Sequence, residues 1–496
     1  MIRRLPFVAL TLVLLAPAAR AEVKPHPLFC DSMVLQQGVD CPVWGTAEPG
    51  ETLSVVLHVG EGKVGGGGIV ADKDGKWLFR LGKVKAGGPY TLSIGNDKSS
   101  VTIKDVYVGE VWIASGQSNM EMALGATANA DQARKNSKNP KLRLFTVDRV
   151  AADTPQATVP IIDNTKEKPG SQVKGKWLEA GPDTVGSFSA VAYYFGRDLQ
   201  KARDVPVGII HTSWGGTASE EWTSMKVLDA HPEHKGHHPR QSKLYNGMIA
   251  PLIPYAIKGA IWYQGESNAG RAYLYQTGFP LMIQNWRDDW KQRDFPFLFV
   301  QLAPWRLPPP ARQRDHLDPW QAVTAEPAES AWAELREAQR LTSLTLKNTA
   351  MAVITDVGDA DDIHPRRKEP VGGRLALAAR ALAYGDKIEY SGPVYKSMDI
   401  DGNKAVLHFT HVGKGLEAKY GVPFGFTVAG EDHKFCTANA EIKGDTAVVW
   451  CDKVSKPVAV RFGWANCPVV DFWNKDGLPA SPFRTDDFPM ITKPKQ

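Results

Sequence analysis

Between residues 106 and 386, short uninterrupted apolar runs alternate with longer amphipathic stretches, and this alternation constrains the fold more than any other feature of the chain. The runs occupy residues 111–114, 207–210, 259–263, 297–300 and 351–354. A strand that is apolar at consecutive positions is buried on both faces. Helical periodicity fills residues 190–202, 273–290, 331–345 and 373–383. The pattern predicts an α/β domain whose parallel sheet is covered by helices on both sides. Ligands of such sheets bind at the carboxyl ends of the strands.

The flanks have a different texture. Residues 22–105 carry short apolar runs punctuated by Pro49-Gly50, Asp74-Gly75 and Gly87-Gly88-Pro89. This spacing predicts an N-terminal β-sandwich-like module. Residues 387–496 return to the same texture and predict a C-terminal β module. Within the central domain (106–386), residues 126–185 and the proline-rich residues 303–330 interrupt the alternation. They read as surface insertions at a substrate rim.

Residues 1–21 read as a signal peptide, with Arg3 and Arg4 ahead of an apolar run and Ala19-Arg20-Ala21 at the cleavage point. The run is shorter than the roughly 18–20 residues that span a bilayer. Cleavage removes three arginines and takes the formal charge from +5 to +2. So small a charge gives no electrostatic footprint for nucleic acid or an anionic membrane. The expectation is a secreted or periplasmic protein, free of the membrane once cleaved. Export permits disulfides. Of the five cysteines, Cys436 and Cys451 flank a strand-turn-strand stretch, Cys30 and Cys41 lie close in sequence, and Cys467 is left over.

Polar residues cluster where the apolar runs end. The first run leads into Ser115-Gly116-Gln117-Ser118-Asn119-Met120. A serine on a turn just past a buried strand can expose its hydroxyl above the sheet, although Ser118 could equally cap the next helix. The last run leads into an acidic loop that holds Asp361 and His364. A serine nucleophile needs an imidazole base and a carboxylate that orients it. The three-residue spacing suits Asp361 for that task. The carboxylate count alone would also suit a calcium loop. Two further ends supply donors for an oxyanion, the glycines of Trp214-Gly215-Gly216-Thr217 and the amides of Gln264-Gly265-Glu266-Ser267-Asn268.

Four blocks together, Gly116-Gln117-Ser118-Asn119-Met120, Ser213-Trp214-Gly215-Gly216-Thr217, Trp262-Tyr263-Gln264-Gly265-Glu266-Ser267-Asn268 and Asp361-x-x-His364-Pro365, resemble the sialate O-acetylesterases, which are SGNH-type serine hydrolases. The resemblance implies a flavodoxin-like core flanked by β modules, no metal and no other cofactor. It implies Ser118 as nucleophile, His364 as general base and acid, and Asp361 as its orienting partner. The oxyanion would be held by the Ser118 N–H, by Gly216 and by a third donor, Gln264 or Asn268. Glu266 is expected to support the loop. For Trp214, Trp222 and Tyr263 at strand ends buried packing is the default, with stacking on a sugar as the alternative.

The function implied is a secreted esterase that removes O-acetyl groups from carbohydrate, O-acetylated sialic acids first. An acetylated xylan or pectin substrate stays open, as does a non-catalytic carbohydrate-binding protein. The natural sugar, the oligomeric state and the disulfide pairing are not fixed by the sequence.

Overall fold

A computed structural model describes residues 22–166, 172–306 and 327–494. Residues 1–21, expected as a signal peptide, and residues 307–326, which include Pro308-Pro309-Pro310, lie outside the described residues. Seven core strands follow in chain order: β1 (Ser100–Gly116), β2 (Asn139–Thr146), β3 (Trp177–Ala180), β4 (Val207–Ser213), β5 (Gly259–Tyr263), β6 (Phe297–Val300) and β7 (Thr349–Ala352). Five helices matter here: α1 (Ser118–Glu121), α2 (Ala190–Arg203), α3 (Ala272–Trp290), α4 (Ala331–Thr345) and α5 (Glu369–Tyr384).

The sheet order is β3-β2-β4-β1-β5-β6-β7. All neighbouring pairs are parallel except β3–β2. The chain leaves β1 toward β4 and later returns to β5 on its other side. This is the doubly wound order with a switch point at β1, beyond whose carboxyl end a crevice must open.

Alternate side chains of β1 feed two cores. Val111 and Ile113 join the cluster covered by Phe279, Ile283 and Trp286 of α3 and by Leu335 and Ala338 of α4. Trp112 and Ala114 join the cluster under Val191, Tyr194 and Leu199 of α2 and Leu375 and Ala379 of α5. Local capping agrees with this packing. The side chains of Ser189 and Ser330 accept the Ala192 and Ala333 N–H groups at the starts of α2 and α4.

Described residues within 126–185, a stretch expected as a surface insertion, belong to the core sheet. They supply β2, whose buried Leu142, Leu144 and Phe145 extend the sheet, and the edge strand β3. Arg143 within β2 is buried because it pairs with Asp105 at 2.6 Å. The β strand was obscured by this buried arginine and by the exposed Pro140 and Lys141.

The N-terminal strands Asp40–Thr46 and Lys76–Lys83 form one sheet with Lys24–Pro25, and Thr52–Val59, Gly62–Val70 and Gly87–Gly95 form another. The second sheet is continuous with the core sheet because β1 runs through both, pairing with Gly87–Gly95 near its start and with β4 and β5 at its end. The expected boundary at 105/106 therefore falls inside one strand. The C-terminal residues form two four-stranded sheets around Leu407, Val428, Val449, Phe462 and Phe483. Cys436 and Cys451 are bridged there. Cys30, Cys41 and Cys467 are free, so the short Cys30–Cys41 loop is not closed.

Candidate active site

Strand β1 ends at Gly116, where φ is +137° and a Cβ would lie 2.2 Å from the Tyr263 carbonyl oxygen of β5. Only glycine permits that approach. The Gln117 N–H donates to the same carbonyl at 3.0 Å, and the Trp214 N–H donates to the Gly116 carbonyl at 3.1 Å. The turn is thus pinned to the ends of both neighbouring strands. Helix α1 has no side-chain cap. The Ser118 hydroxyl instead lies 2.8 Å from His364 Nε2, on the loop that follows β7.

His364 is partly covered, and its imidazolium is disfavoured. Burial is the main cause of its lowered pKa; the Asp362 carboxylate acts the other way and the Lys368 ammonium adds to the lowering. A neutral imidazole beside a hydroxyl is the state that can take a proton.

The carboxylate facing this ring belongs to Asp362. Its Oδ1 accepts the His364 N–H at 2.8 Å and stands 3.8 Å from Nδ1. Asp361, expected to orient the histidine, turns away and is largely exposed, accepting the Arg306 Nε–H at 2.7 Å. The spacing argument failed because a guanidinium from another segment competes for the Asp361 carboxylate. Asp359 shapes the loop by accepting the Asp361 and Asp362 N–H groups, and Asp356 pairs with Arg374 at 2.6 Å. Each acid of this loop thus has a protein partner. Among the described residues no three His, Cys, Asp or Glu side chains are gathered as metal ligands would be.

The donor loops sort themselves. Glu121 accepts the Gly215 N–H at 2.6 Å and pairs with Arg149. Gly216 lies in a left-handed turn with φ +72°, and a Cβ there would meet nothing within 4 Å. Gln264 and Asn268 are both buried beneath the site. Gln264 Nε2 donates to the Thr217 carbonyl at 3.1 Å and to Asn268 Oδ1 at 2.6 Å, while Asn268 Nδ2 donates to Glu220 at 2.9 Å. Both N–H groups of Gln264 are thus spent, and Asn268 commits one of its two to Glu220. They hold the glycine turn from below.

Behind Ser118, the buried Asn119 amide joins three loops. Its Nδ2 donates to Glu266 Oε1 at 2.6 Å and to the Ile363 carbonyl at 2.9 Å, and its Oδ1 accepts from Lys368 Nζ. Glu266 thus supports the loops, as expected. Asn119 stood in a quoted block with no role given to it, and Lys368 was hidden in the charged run Arg366-Arg367-Lys368-Glu369. Trp222 and Tyr263 are fully buried and offer no face to a sugar. Trp214 is half-buried, with the Arg149 and Arg240 guanidiniums 5.7 Å and 5.4 Å from its ring centroid. His211 is spent inside the sheet on Ser213 at 2.6 Å.

A serine hydroxyl against an imidazole, beside a glycine turn at the switch point, suits acyl transfer. Residues 108–379, more than half of the chain, match the family model for carbohydrate esterases described as sialic acid-specific acetylesterases. The chain belongs to this acetylesterase family. The sialate O-acetylesterase of Homo sapiens is 32% identical over 411 residues, covering 77% of this chain and 75% of its own. That of Mus musculus is 31% identical over 440 residues, covering 76% and 77%. A solved carbohydrate acetylesterase from Xanthomonas citri superposes with a TM-score of 0.82 at 39% identity, covering 94% of this chain and 100% of the other. This acetylesterase is accordingly a carboxylic ester hydrolase with a mixed α/β core and β-rich modules.

Proposed function

We propose that the protein is an exported serine esterase of the SGNH type that removes O-acetyl groups from carbohydrate, with O-acetylated sialic acids as its first substrates. The observation that carries the serine mechanism is the 2.8 Å contact between Ser118 Oγ and His364 Nε2 at the end of β1. His364 takes the hydroxyl proton as Oγ attacks the acetyl carbonyl. The Ser118 and Gly216 N–H groups stabilise the oxyanion. The sugar oxygen departs with the proton from His364, leaving acetyl-Ser118. Water, deprotonated by His364, then releases acetate and restores the serine. Asp362 holds the imidazole in the arrangement seen.

A second substrate reading has its own support, because the Xanthomonas citri relative, at 39% identity, is described by carbohydrate rather than by sialic acid. Under this reading the acetyl group sits on a xylan- or pectin-type chain. Acetate release from O-acetylated sialic acids, measured beside acetylated xylan oligosaccharides, separates the two. Faster turnover of the sialic acids supports the first reading. Turnover of neither, with an inert Ser118, would leave a carbohydrate-binding protein.

A further inference from the structure

The amide of Asn119 has two orientations, and only one is compatible with its surroundings. As placed, its two N–H groups face the Glu266 carboxylate and the Ile363 carbonyl, and its oxygen faces the Lys368 ammonium. Lysine can only donate, and a carbonyl can only accept. A flipped amide would set donors against the ammonium and an oxygen against both acceptors. Asn119 follows Ser118 directly, and Ile363 precedes His364 directly, so this amide ties the two reacting groups together through one backbone step on each side.

Lys368 has no other evident task. It is 1% exposed, four residues past His364 and just ahead of α5, with Nζ 5.1 Å from the centroid of the Tyr263 ring. A desolvated ammonium is costly unless compensated. The Glu266 carboxylate is reached through Asn119, and among the described residues its Oε2 has no hydrogen-bond partner.

We propose that Lys368 is a positioning residue for ester hydrolysis, whose ammonium locks the Asn119 amide so that the His364 loop is held against the Ser118 turn. The proposal rests on Ser118 and His364 being the reacting pair. The charge also bears on the histidine. The Ser118 hydroxyl from α1 touches the His364 ring, and the charges that act on it are Asp362 from its own loop and Lys368 from just ahead of α5. Glu121 and Arg149 are paired with each other, as are Asp361 and Arg306. Lys368 itself faces Asn119, Glu266, Asp362 and the Tyr263 ring. Burial lowers its pKa to about 7, with Glu266 and Asp362 opposing. A cation here favours the neutral imidazole, so its removal raises the histidine pKa.

Two full-length variants test this, Lys368→Met and the double variant Lys368→Met with Glu266→Gln, which leaves no uncompensated buried charge. Circular dichroism and melting report the fold; kcat, KM and the acid limb of kcat/KM are measured on an acetylated sugar. The expected result is a kcat about tenfold lower or more with KM within about twofold, and an acid limb moved to higher pH. A purely structural lysine would not move that limb. Ser118→Ala, run alongside, fails separately: if it still turns over, the reading of the site falls whatever Lys368 does. A folded variant with wild-type kcat and an unmoved acid limb overturns the proposal, and so does loss of fold in both variants.

Discussion

The Asp362 carboxylate accepts the backbone N–H of His364 at 2.8 Å and stands 3.8 Å from its ring Nδ1. One side chain thus shapes the histidine turn and presents a negative charge to the imidazole. Asp361, one residue earlier, is committed to Arg306. Asp362→Asn is predicted to lower kcat/KM roughly 10- to 100-fold, the scale of a small misplacement of a reacting group. Asp361→Asn removes an exposed ion pair of about 0–1 kcal/mol and leaves kcat/KM within about threefold of wild type. Acetate-release kinetics of the two variants check the order. A larger loss for Asp361→Asn would mean that this carboxylate leaves Arg306 for the imidazole during turnover.

The pH profile follows from the state of His364. The base works when neutral, and its pKa lies below the ordinary value of 6.5, chiefly through burial. Activity should therefore persist below pH 6.5 and fall only as the imidazole gains a proton at more acid pH. Removing the Asp362 anion removes a group that favours the imidazolium, so Asp362→Asn moves the acid limb to lower pH. The profile of kcat/KM against pH reads both effects. A wild-type limb above 6.5 would contradict the account.

Two glycines of the site should respond differently to alanine. At Gly116 the new Cβ would meet the Tyr263 carbonyl oxygen at 2.2 Å, and that backbone belongs to the centre of the sheet. Gly116→Ala is expected to cost about 3 kcal/mol or more in denaturant unfolding. Gly216→Ala meets no atom within 4 Å and carries only the left-handed conformational cost, about 1–2 kcal/mol. Equal midpoints for the two variants would refute the comparison.

Arg336 of α4 is buried, with no carboxylate partner among the described residues. Its guanidinium donates to the carbonyls of Leu302, Ala303, Ala465 and Asn466 at 2.7–3.1 Å. It therefore fastens the segment after β6, which leads to Arg306, onto the C-terminal module. Arg336→Met leaves those carbonyls without their donor and is predicted to destabilise the protein by about 3 kcal/mol or more. Urea unfolding measures this, and a midpoint unchanged from wild type would refute it.

The sequence showed the architecture because the strands of a doubly wound sheet are apolar at every position and its helices are not. Four of the five runs lie wholly within strands, and β7 is displaced two residues toward the N-terminus, so that Val353 and Ile354 lie beyond it. Strand β2 escaped because Arg143 is buried by pairing with Asp105, a tertiary contact that hydropathy does not register. Ser118 and His364 were legible from their places at strand ends. Gln264 and Asn268 were legible only as residue types; whether an amide points into the crevice or under it is decided by partners such as Thr217 and Glu220. Lys368 was hidden because a lysine in a charged run has the same local pattern whether solvated or buried.

The central claim is that Ser118 is made nucleophilic by His364. A fluorophosphonate that labels activated serines, followed by peptide mass spectrometry, tests it on the wild-type protein and on His364→Ala. The account predicts one adduct, on Ser118, formed by the wild type and lost or greatly slowed in the variant. An unlabelled Ser118 in the wild type, or equally fast labelling without His364, would contradict it.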